Sequence, residues 1–134
     1  MPHIVVEYSA NIEEALKLDA LFEKLVYAAV GTGLFELPGI RVRGERRDRY
    51  RIADNHADNG FVHMTLRVGA GRPEAALKQA GDRINAVLCE HLAAMFRARP
   101  LAISTEIQEI HPALTWKQNN IIEHMERRPI WAAE

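Results

Sequence analysis

Apolar positions in this chain repeat with a period of two along short runs and near 3.6 along longer ones, which separates strands from helices. Residues His3 to Tyr8, with Ile4, Val5 and Val6 in succession, read as a strand apolar enough to lie inside a sheet. Asn11 followed by Glu14 has the form of a capping box and sets a helix start near Ile12. Ala15, Leu18, Leu21, Phe22, Leu25, Ala28 and Ala29 then share one helical face, and Gly31 and Gly33 close the element. A turn-rich connection, 34–39, leads through Pro38 and Gly39 into the alternating run Ile40 to Arg43, with Arg41 and Arg43 on one side. Alternation is irregular over 44–53, as in a hairpin or excursion, and 54–60 is a polar loop.

Phe61 to Val68 alternates cleanly, with Val62, Met64, Leu66 and Val68 opposite His63, Thr65 and Arg67. Gly69 to Arg72 forms a tight connection, and Pro73 suits the first position of a second helix. Leu77, Ala80, Ile84, Val87, Leu88, His91, Leu92 and Met95 supply that helix's stripe, and Arg99 and Pro100 stop it. Leu101, Ile103, Thr105 and Ile107 alternate through a last strand, before a turn at His111 and Pro112 and an extended piece around Leu114 to Trp116.

The map contains an internal repeat, because His3 to Tyr8 plus the first helix matches His63 to Val68 plus the second at an offset of 60 residues. Each strand–helix unit leads to a parallel partner strand. The predicted fold is therefore α/β (α+β): two β-α-β units forming a four-stranded mixed sheet backed by two helices. With helices on one face only, the other face needs a cover, and strands this apolar predict that copies of the sheet pack together, leaving an isolated subunit poorly folded.

At 134 residues the chain is one domain, and its 17 basic against 18 acidic residues give no nucleic-acid surface. Any charge-based function is local. The single cysteine, Cys89, falls in the second helix and reads as a buried structural thiol in a reducing compartment. Without a spanning apolar run or a signal-peptide pattern, the chain reads as cytoplasmic and free of membrane.

Chemistry gathers at the start. Met1 precedes a residue small enough for the initiator to be trimmed, which would leave the secondary amine of Pro2 as a terminal base. Inside a chain proline has neither basicity nor a donor, and Pro2 would then only open an edge strand. In the second unit the matching position is Val62, so one such proline per chain is the most possible. His3 and His63 occupy matching positions without a carboxylate or cysteine at ligand spacing, so both read as hydrogen-bonded structural histidines and no metal site is predicted. Phe35 and Trp116 read as core, and Arg43, Arg46, Arg47, Arg49 and Arg51 as solvated charges.

Pro2-His3, Gly39-Ile40-Arg41, Phe61 to Leu66, Gly69 to Arg72, and His111-Pro112 with Lys117 to Asn120 stand in an order and spacing that closely resemble the 5-carboxymethyl-2-hydroxymuconate isomerase family of the tautomerase superfamily. The likeness runs from Pro2 to about Asn120, leaving the tail 121–134 outside it. It implies a trimer of β-α-β repeats, no cofactor, an unsaturated carboxylate substrate, and a place in homoprotocatechuate catabolism. It also implies Pro2 as the acid-base group and Arg41 and Arg72 as carboxylate binders, a task suited to the planar guanidinium. Arg72 precedes Pro73, where a helix start favours an anion. The same residues would serve a related tautomerase on another enolisable carboxylate, or a non-catalytic trimeric ligand-binding module. The tail, including Trp131, would either cover a neighbouring subunit or fray.

Overall fold

The computed structural model describes residues 2–128. Four strands, β1 (His3–Ser9), β2 (Arg41–Arg47), β3 (Gly60–Gly69) and β4 (Leu101–Ile110), form one sheet in the order β2-β1-β3-β4. β1 runs parallel to β2, β3 parallel to β4, and β1 antiparallel to β3, so two strand–helix–strand units meet at the centre of a mixed sheet. The main helices are α2 (Leu18–Gly31), preceded by the short α1 (Glu13–Leu16), and α3 (Glu74–His91), followed by α4 (Ala93–Ala98). A last short helix, α5 (Ile121–Glu126), lies beyond the sheet. Among the described residues no helix is long and apolar enough to cross a membrane.

Period-two burial makes the core. Ile4, Val6 and Tyr8 of β1 and Val62, Met64, Leu66 and Val68 of β3 are buried on the helix side, against Leu21 and Leu25 of α2 and Ile84 and Leu88 of α3. Leu101, Ile103 and Ile107 of β4 pack against this core on the same side.

The opposite face corrects the packing expectation. It carries His3, Val5 and Glu7 of β1 in register with Arg41, Arg43 and Glu45 of β2 and with Arg67, Thr65 and His63 of β3. Val5 is its one aliphatic residue among these, so this face is largely polar and not the continuous apolar layer expected. Arg47 bridges Glu7 and Glu45 at 2.7 Å each, a partly exposed ion-pair network.

The first helix does not start through a capping box. Asn11 instead donates its side-chain amide to the carbonyls of Ala57 and Asn59 at 3.2 and 2.8 Å, fastening the polar loop, while Ser9 Oγ accepts the Phe61 amide at 3.0 Å. The helix also breaks at Lys17, whose φ of 49° is left-handed. Leu16 and Leu21 are both fully buried, yet five residues apart they would stand roughly 140° apart on an unbroken helix. The break rephases the stripe, and His91 Nε2 takes the freed Leu16 carbonyl at 2.7 Å. Ala15, expected inside, is exposed.

Four smaller corrections follow from the same packing. β2 continues to Arg47 because it pairs with β1 as far as Ser9. Pro73 is the N-cap of α3 and not its first turn, and Leu92 interrupts the second helix before Arg99 ends it. Cys89 is exposed: Leu77, Ala80, Ile84 and Leu88 form the buried stripe, and the next residue lies about 100° off it. Trp131 lies outside the described residues.

Candidate active site

Pro2 is buried at the lip of the sheet, where its carbonyl accepts the Arg41 amide at 3.2 Å. This bond continues the β1–β2 ladder by one residue and fixes Pro2 at the wall of one of two cavities at the strand's start, while His3 lines the other. One cavity, of about 410 Å³, is lined by Pro2, Leu34, Phe35, Pro38, Arg72 and Asn119, with Glu36 among its walls. Arg72 is braced there by Nη1 donating to the Gly69 carbonyl and Nη2 to the Leu34 carbonyl, each at 3.1 Å. Its guanidinium lies over the Phe35 ring at 4.9 Å. Two of the five N–H donors are so used, and three remain for an anion. Phe35 is buried as expected, but its ring also forms the floor under this cation.

The other cavity, of about 480 Å³, is lined by His3, Arg41, Ile110, Trp116 and Lys117, and among the described residues no carboxylate borders it. Because consecutive strand residues point to opposite faces, the Arg41 side chain lies beside His3, away from Arg72. Arg41 and Arg43 approach the two His3 ring nitrogens at 3.3 and 3.1 Å. Burial, then Arg43, Arg41 and Arg67, hold the His3 imidazole below its usual pKa, so it stays uncharged among the guanidinium groups. His63 bonds Ser104 at 2.6 Å and Glu106 at 3.2 Å.

Pro2 and Arg72 thus share one cavity, and Arg41 opens onto the neighbouring one. The strap of 111–120 that walls both was missed as a functional element. Trp116, expected in the core, is 86% exposed and edges the Arg41 cavity. Asn119 donates to the Pro38 carbonyl at 3.1 Å and accepts the Ile121 amide at 2.8 Å, which pins the strap across the Pro2 cavity. The motif Lys117 to Asn120 was the available signal.

The sequence profile of the family described as 5-carboxymethyl-2-hydroxymuconate isomerase matches residues 2–125, which takes the likeness past Asn120 into α5. A 5-carboxymethyl-2-hydroxymuconate Delta-isomerase of Escherichia coli is 45% identical over 121 residues, covering 90% of this chain and 96% of its own length. The crystal structure of a 5-carboxymethyl-2-hydroxymuconate isomerase from Deinococcus radiodurans R1 superposes with a TM-score of 0.86 at 40% identity, covering 96% of this chain and 95% of that one. At 19% identity, a protein described as "W0 fused 4-OT wild type symmetric trimer" shares the fold with a TM-score of 0.63, covering 87% of this chain and 93% of its own. With the profile spanning most of its length and relatives this near, the chain belongs to the 5-carboxymethyl-2-hydroxymuconate isomerase family and is an enzyme, an isomerase.

Proposed function

We propose that this chain converts 5-carboxymethyl-2-hydroxymuconate to its conjugated 2-oxo isomer, with Pro2 as the single acid-base group once Met1 has been removed. The observation that carries this is a buried Pro2 sharing a cavity with a braced guanidinium, Arg72. In the reaction the terminal nitrogen takes the enol O–H proton. The oxygen's electron pair moves through the diene, and the distant carbon accepts the proton back from nitrogen.

A nitrogen serving both steps works best when its conjugate acid titrates near the operating pH. Burial and nearby cations lower an amine toward that range. Arg72 and Arg41 bind substrate carboxylates, and the chemistry needs no cofactor. We place the reaction in the cytoplasm, within the catabolism of homoprotocatechuate.

We further propose a homotrimer. A distant relative of the same fold is described as a symmetric trimer, and Leu114 and Trp116, 67% and 86% exposed, offer apolar contacts to a second copy.

The test is Pro2→Ala in protein whose mass shows Met1 removed, assayed by the rise of the conjugated ketone. A primary amine remains, so turnover should fall by about a hundredfold or more. A retained Met1 converts the nitrogen to an amide and should be at least as harmful. Turnover equal to the parent's in either form would refute the assignment.

A further inference from the structure

The proposed substrate is not symmetric in charge. Its hydroxyl end carries one carboxylate, whereas at the other end C5 bears both the terminal carboxylate and the carboxymethyl arm, so two negative charges sit on one carbon's substituents. The two cavities at the start of β1 show the same asymmetry. The Pro2 cavity holds one guanidinium, Arg72, partly offset by Glu36. Its neighbour is lined by two permanent cations, Arg41 and Lys117, and among the described residues no carboxylate stands on its walls. His3 adds no charge there, since its imidazole is held neutral.

We propose that Lys117 is a third carboxylate-binding residue, which together with Arg41 receives the doubly charged end of the substrate and selects tricarboxylates over dicarboxylates.

Placement supports this. Pro2 and His3 are consecutive, and each lines one of the cavities. Lys117 and Asn119 stand two apart on the strap and do the same, so both cavities lie within a few residues of Pro2 along the chain. Lys117 is exposed and has no ion-pair partner among the described residues, so its ammonium is not already committed. Ile110, Pro112 and Trp116 give the cavity apolar walls against which a methylene arm can lie. An ammonium is a mobile point charge, suited to an arm that rotates, while the planar fork of Arg41 suits the fixed terminal carboxylate.

The inference rests on the isomerase reading, and its test separates the two. Parent, Lys117→Met and Lys117→Arg are assayed with 5-carboxymethyl-2-hydroxymuconate and with 2-hydroxymuconate, which lacks the arm. In Lys117→Met the ratio of kcat/KM for the tricarboxylate to that for the dicarboxylate should fall about tenfold, chiefly through KM, the size of one charged contact. Lys117→Arg should restore most of the ratio. A ratio within twofold of the parent's in Lys117→Met overturns the proposal, as does an equal loss on both substrates. Binding of unreactive tricarballylate, followed by calorimetry, is read alongside. Tenfold weaker binding to Lys117→Met upholds the site even if the parent turns over neither dienol, an outcome that would sink the isomerase reading alone. Unaltered binding overturns the site.

Discussion

Arg72 has a structural task and a proposed one, carboxylate binding, that one substitution can separate. Replacing it with Met removes the donors to the Gly69 and Leu34 carbonyls, each at 3.1 Å, and the cation over Phe35. Bonds from a charged donor contribute about 1.5–3 kcal/mol each when fully desolvated. These two are only part-buried, and water can replace the lost donors, so the stability loss should be about 1–2 kcal/mol in total. For a chain of this size that lowers Tm by roughly 3–8 °C. A substrate carboxylate loses more, because among the described residues no other cationic side chain lines that cavity. Loss of two charge-assisted bonds, about 3 kcal/mol, should reduce kcat/KM roughly a hundredfold. Arg72→Lys keeps the charge but neither the fork nor the stacking and should fall between. The measurements are steady-state kinetics on the dienol and a thermal melt of the same samples. If Tm falls in Arg72→Met while kcat/KM stays within threefold of the parent's, Arg72 is a brace for the 34–39 connection and the carboxylate role is wrong.

His91→Ala strips the Leu16 carbonyl of its donor at the helix break, and chemical denaturation should show a loss of about 1–3 kcal/mol at an unchanged m value; an unaltered midpoint would show that water satisfies that carbonyl. Because the His3 pKa is lowered from 6.5 on folding, the unfolded chain binds more protons below that pH. Stability should therefore decline as pH falls through 6.5, and His3→Gln should flatten that decline in denaturation midpoints taken from pH 7 to pH 5; parallel slopes would remove His3 from the account. Since the exposed sheet face is polar, dilution that drives light scattering from three chain masses to one should leave far-UV circular dichroism unchanged. Helix loss in step with mass would restore the idea that the core needs a neighbour.

Strand patterns were legible wherever one face alone is buried, as in Val62, Met64, Leu66 and Val68, because the period of two is imposed by the backbone. The same alternation hid the polarity of the exposed face: Ile4, Val5 and Val6 look continuous in sequence, yet Val5 points away from its neighbours, among arginine and threonine. The broken first helix was not legible, since nothing in Leu16-Lys17-Leu18 marks a left-handed residue, and the carbonyl it frees is answered by His91 from another helix. For the site, motif spacing marked Pro2, Arg41 and Arg72 together. It could not tell that Arg41 turns into a different cavity, a consequence of register with His3, which only pairing fixes. Trp116 looked like core because large aromatics usually are; midway along the strap, beyond the end of β4, it is exposed.

The strap begins where the ladder ends, one residue beyond the last β3–β4 pair, Gly69 with Ile110, and the Asn119 amide fastens it to the Pro38 carbonyl. Its residues edge both cavities, yet no strand pairing depends on them. In evolutionary terms this is a cassette: insertions, deletions or exchanges within 111–118 alter the walls and charge around a bound acid without touching the hydrogen-bonded scaffold that positions Pro2. Substrate range in such a fold can therefore drift quickly while the proposed acid-base group stays fixed, and a protein engineer would diversify this segment before altering the sheet.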